Sequence, residues 1–214
     1  MRATVFPRRL LPVLLALPLV VRAETSKITL VIVDKATGKP MPGRVHLKNA
    51  GGKPHRPENL PFWRDHFVCD GEARLDLPAG RYTYEVERGP EFSAARGSIE
   101  ARTSDAGRTV VTLERLADMA AEGWWSGELH VHRAPGDAEA LMRAEDLHVA
   151  PFITWWRGKM MMRTNATPAG PAWRQFDGDR FWSTLGGEDE REGGALLYFN
   201  LPRPLDLKIG RAHV

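Results

Sequence analysis

The sequence has a single cysteine, Cys69, among 214 residues, which excludes an intramolecular disulfide and leaves packing to hold the chain together. A lone cysteine of this kind is expected to be a small buried apolar residue. An excess of one charge is also missing, with 30 Lys+Arg against 27 Asp+Glu. No apolar run reaches the roughly 20 residues that a membrane helix needs, since the stretch from Leu10 to Val21 is short and broken by Pro12 and Pro18. At 43% hydrophobic and 27% charged residues the composition is that of ordinary globular domains and excludes disorder.

What is present begins with a leader. Arg2, Arg8 and Arg9 precede the apolar stretch, and Val21-Arg22-Ala23 follows it as a small-residue cleavage signal, so residues 1–23 read as a secretory signal peptide. An exported protein is expected, periplasmic, cell-surface or secreted, with no stable membrane span. Removing the leader takes the basic count from 30 to 26 against 27 acidic residues. The slight basicity therefore belongs to the leader, and no nucleic-acid partner is expected. At the other end, Ile209 to Val214 is what one reading frame of a common sequencing adapter would encode. Residues 209–214 are expected to be artefact, and the gene to have been cut short.

Residues 27–116 carry the pattern of an all-β domain. Ile28 to Val33 is a β-branched run, and Asp34 to Pro40 a turn. Arg44 to Leu47 alternates in polarity, and Ala73 to Leu77, Tyr82 to Val86 and Thr109 to Leu113 follow as further strands. Asp34…Thr37-Gly38-Lys39-Pro40 and Asp70-Gly71…Leu77-Pro78-Ala79-Gly80-Arg81-Tyr82 resemble the transthyretin-like, carboxypeptidase-regulatory-like β-sandwich. That resemblance implies a non-catalytic accessory module. His46, His55 and His66 lack metal-ligand spacing here and read as surface or locally hydrogen-bonded residues.

Glu114 to Glu122 reads as a short helical connector. The grammar then changes in residues 117–208. Glu128 to His132 reads as a short strand, Asp137 as a helix N-cap, Ala138 to Glu145 as a helix and Leu147 to Thr154 as a second strand. This is one strand-helix-strand unit of a parallel sheet. Arg157 to Gly194 has no regular period and reads as a long loop, functional or mobile, and Ala195 to Asn200 as a further strand.

The sharpest chemical signal is His130-Val131-His132. On a strand, side chains two residues apart leave the same face about 7 Å apart, so these imidazoles can share one metal ion or bridge neighbouring ions. Gly127 to His132, with Asp137 five residues after the second His, resembles the first motif of the polymerase-and-histidinol-phosphatase (PHP) superfamily of metallohydrolases, and especially its carbaryl-hydrolase-like branch of exported proteins. The resemblance implies an α/β barrel of which only the start is present. It implies His130 and His132 as ligands of a two- or three-ion site holding zinc, manganese or iron, with Asp137 at the rim if it does not merely cap the helix. Gly186-Gly187-Glu188 followed by Gly193-Gly194 is similar to the element carrying that family's next acidic ligand, which implies Glu188, with Glu190 and Glu192 as alternatives. The same acidic run also reads as a solvated loop.

One departure stands out: the family's second strand usually ends Thr-Asp-His, and this chain has Thr154-Trp155-Trp156, whose indoles cannot ligate a metal. Trp155 and Trp156, with Trp124, Trp125, Trp173 and Trp182, read either as core residues or as an aromatic wall against a substrate. His148 reads as a packing or surface residue. Two functions remain on the sequence. One is an exported metal-dependent hydrolase of the PHP type, acting on ester, carbamate or phosphoester bonds in a small-molecule or glycan substrate and, as a fragment, expected to be inactive alone. The other is a non-catalytic glycan- or ligand-binding protein with a degenerate barrel site.

Overall fold

The computed structural model describes residues 25–103, 106–157, 173–191 and 194–201, with backbone alone for 155–157 and 190–191. The expected leader, residues 1–23, and residues 209–214 lie outside them. No helix of the described residues is long and apolar enough to cross a membrane.

The first unit is a sandwich of two sheets. Strands β1 (Thr25–Asp34), β5 (Glu72–Pro78) and β8 (Ala106–Leu113) form one sheet in the order β5-β1-β8. In the other, β3 (Phe62–Trp63), β4 (His66–Cys69), β2 (Gly43–Asn49), β6 (Gly80–Glu87) and β7 (Ala95–Ala101) lie in the order β3-β4-β2-β6-β7. Alternation in each strand turns one row of side chains inward: Ile28, Leu30 and Ile32 meet Val45, Leu47, Phe67, Val86 and Ile99 in one core. Full burial of each large side chain contributes about 1.5–3 kcal/mol. Cys69 belongs to this core, as expected, and burial pushes its thiol up to about 11.

Strands β3, β4 and β7 were not expected. The first two are very short and lie in residues 62–69, to which the sequence pattern assigns no element. The third, Ala-Arg-Gly-Ser-Ile-Glu-Ala, is poor in β-branched and aromatic residues. The connector expected as a helix over 114–122 is a loop with one 3-10 turn, Ala120–Glu122.

A second, separate core follows. Helix α1 (Ala138–Ala144) buries Ala138 and Met142, four residues apart on one face, against Ala150 and Phe152 of β9 (Val149–Arg157) and Trp182 of β11 (Arg180–Arg191). β9 and β11 are parallel, while β10 (Trp173–Phe176) and β12 (Gly194–Tyr198) pair antiparallel with β11. The described residues thus form a mixed sheet with one helix and no closed barrel. α1 also packs across β4 and β2 on the outer face of the five-stranded sheet. Arg44 of β2 bonds there to Glu145 beyond the helix at 2.9 Å.

Two expectations are corrected. Glu128 to His132 is not a continuous strand: it touches β9 only through the parallel bridges Gly127↔Val149 and Val131↔Phe152. The Glu128 carboxylate accepts the His130 backbone N–H at 2.9 Å, diverting a donor that a ladder would need. Conversely, much of the expected long loop is β11. Its residues Trp182 to Asp189 are all buried, and a strand covered on both faces writes no polar alternation into the sequence.

Candidate metal centre

The site lies where the Val131 segment, β9 and β11 run side by side. The Ile153 N–H donates to the Val131 carbonyl at 2.8 Å, which fixes the height of His130 and His132 against β9. On the far side of β9, β11 is held in register with a bulge around Gly186. A Cβ at Gly186 would stand 2.5 Å from the Phe152 carbonyl oxygen, so only glycine permits this approach. The bulge re-aims the residues that follow, and Glu188 is one of them.

The result is a convergence of three donors. Nε2 of His130 and Nε2 of His132 are 2.9 Å apart. They stand 3.3 and 2.8 Å from Oε1 and Oε2 of Glu188, respectively. The carboxylate is 1% exposed, whereas the His130 and His132 side chains are 47% and 32% exposed. Although the nitrogens are within ion-pair distance, neither carboxylate oxygen accepts a hydrogen bond among the described residues. A buried carboxylate without hydrogen bonds is costly.

This donor set fits a divalent ion of the zinc class. Ligands about 2.0–2.1 Å from a tetrahedral ion are about 3.3 Å from one another, and the three separations here are 2.8 to 3.3 Å. Two imidazoles and one carboxylate are a zinc, manganese or iron set, and three protein ligands leave a position open for water or substrate. Solvent reaches the donors from the imidazole side, over a floor made by Glu188.

Asp137 precedes α1 in the N-cap position, but its side chain makes no capping hydrogen bond, and it is not among the three grouped donors. Trp155 and Trp156 lie opposite Gly187 and Glu188 along the β9–β11 ladder. Their side chains lie outside the described residues, as does that of Glu190, and Glu192 lies outside altogether. His148 is a packing residue, as read: it is buried, 2.8 Å from the Ser126 hydroxyl, with Trp125 edge-on at 4.9 Å. Trp182 is a core residue, while Trp124 and Trp125 are exposed.

Two contributors escaped the sequence reading. Glu128 clamps the His130 backbone, a role its acidic side chain two residues upstream could have suggested. Arg133 lays its guanidinium 4.7 Å from the centroid of Trp63 in β3, bringing the sandwich to the edge of the site, a contact with no local signal.

No protein-family model and no curated protein sequence matches this chain. Four solved chains do, among them the crystal structure of GBS52, a minor pilin of Streptococcus agalactiae. The match has a TM-score of 0.37 and 17% identity, and covers 45% of this chain and 47% of that one. A likeness of that degree carries no assignment.

Proposed function

We propose that the chain is an exported metal-dependent hydrolase of the PHP type, acting on ester, carbamate or phosphoester bonds. The observation that carries the reading is the meeting of His130, His132 and Glu188 at mutual donor distances of 2.8 to 3.3 Å around a buried carboxylate that accepts no hydrogen bond among the described residues. His130 and His132 hold the ion from the solvent side and Glu188 from beneath. A bound zinc-class cation supplies Lewis acidity and makes water nucleophilic near neutral pH. Glu188 contributes the charge that neutralises the cation, and its surroundings of β9 and β11 exclude bulk water from that side. Export rests on the leader at residues 1–23.

The test is metal content together with hydrolysis of p-nitrophenyl acetate and p-nitrophenyl phosphate by the full chain and by His130→Ala. The proposal expects near-stoichiometric zinc, manganese or iron that the substitution depletes along with turnover. A second reading, a ligand-binding protein with a degenerate site, rests on the exposed indoles of Trp124 and Trp125. Metal-free protein that still binds oligosaccharide would favour it.

A further inference from the structure

His46, Asp65 and His66 form a second convergence, away from the first and inside the sandwich unit. His46 sits on β2 and His66 on β4, which pair antiparallel with Val45 opposite Phe67. Since Val45 and Phe67 point into the core, the next residue on each strand faces outward, and the two imidazoles become cross-strand neighbours. Their ring centroids are 5.1 Å apart. Asp65 reaches them from the turn between β3 and β4, where Arg64 adopts φ +53°, a conformation that costs a non-glycine residue about 1–2 kcal/mol. Its Oδ1 is 3.1 Å from Nδ1 of His66, and its Oδ2 is 3.3 Å from Nδ1 of His46.

The other side of His46 sharpens the point. Its Nε2 is at ion-pair distance, 3.6 Å, from Oε2 of Glu87, and Arg44 fixes that oxygen with donors at 2.6 and 3.1 Å. A neutral imidazole has one N–H. At 3.6 Å Nε2 makes no hydrogen bond to Glu87, whereas Nδ1 of His66 is hydrogen-bonded to Asp65 at 3.1 Å, so a cation here would take the place of ring protons that Asp65 accepts.

We propose that His46, Asp65 and His66 hold a divalent ion of the zinc class, through both Nδ1 atoms and one carboxylate oxygen, pinning the β3–β4 turn to β2. This site does not depend on the hydrolase reading. Zinc titration by calorimetry of the full chain carrying His130→Ala and Glu188→Gln, which disable the other centre, should show one equivalent bound. Adding Asp65→Asn or His66→Gln should weaken it at least tenfold. Long-range proton–nitrogen NMR of the unaltered chain gives a readout independent of any variant: zinc should leave His46 and His66 protonated at Nε2 and coordinated at Nδ1. No zinc uptake, uptake that neither substitution weakens, or rings that keep their Nδ1–H in saturating zinc would overturn the proposal.

Discussion

Arg88, just beyond β6, and Asp146, just beyond α1, form an ion pair at 2.7 Å with side chains 10% and 8% exposed. The pair joins the sandwich to the second unit. Asp146 also meets Arg180 of β11 at 2.8 Å and Arg115, beyond β8, at 3.3 Å, so one carboxylate neutralises guanidinium groups from three parts of the chain. Removing one member of a buried pair leaves the remaining charge uncompensated. Asp146→Asn should therefore cost about 3 kcal/mol in urea unfolding.

The same group gives a pH dependence. Burial alone would raise the Asp146 pKa, but Arg88, Arg180 and Arg115 outweigh it and hold the carboxyl below its ordinary value. A carboxylate depressed in the native state stabilises fully above its unfolded pKa, about 3.9. That stability is lost as the pH falls through the native value. The difference in unfolding free energy between the parent chain and Asp146→Asn should thus be constant near neutrality and shrink below about pH 4. Urea titrations at a series of acidic pH values would check it.

Gly186→Ala tests the bulge that aims Glu188. The added methyl would meet the Phe152 carbonyl oxygen at 2.5 Å, where only backbone movement can relieve the clash. A destabilisation of about 3 kcal/mol is expected, the upper end for overpacking, with weakened zinc binding.

Glu188→Gln should separate the metal-free and metal-bound states. In chelator the variant should be at least as stable as the parent, because it removes a buried charge that accepts no hydrogen bond among the described residues. With zinc at one hundred times its dissociation constant the parent should gain about 2.7 kcal/mol, and the variant far less. Thermal melts with chelator and with zinc would show the crossing.

Cys69 should be silent in the folded chain. A buried thiol whose pKa is pushed up to about 11 presents almost no thiolate at pH 8. An aromatic disulfide reagent should label it only as fast as the chain unfolds.

The strands read from the sequence are β1, β2, β5, β6 and β8, most of them through the alternation that records which side meets the core, together with β9 and β12, which overlap the runs read at Leu147 to Thr154 and Ala195 to Asn200. Helix α1 was legible from its run of strong helix formers. β11 was not, being covered on both faces, and so the acidic run containing Glu188 looked like a solvated loop although its position in the site had been anticipated from a motif. The His46–His66 pairing was illegible for a different reason. It depends on the register of β2 against β4, and nothing near either histidine encodes that register. The expected strand at His130 failed locally, since Glu128 takes the backbone donor that pairing would have used.

Anomalous diffraction at the zinc edge, from crystals of the chain grown with zinc chloride, tests the first centre most directly. The account predicts a peak about 2.0–2.2 Å from Nε2 of His130, Nε2 of His132 and a carboxylate oxygen of Glu188. Well-ordered side chains at these three positions with no anomalous density between them would contradict it.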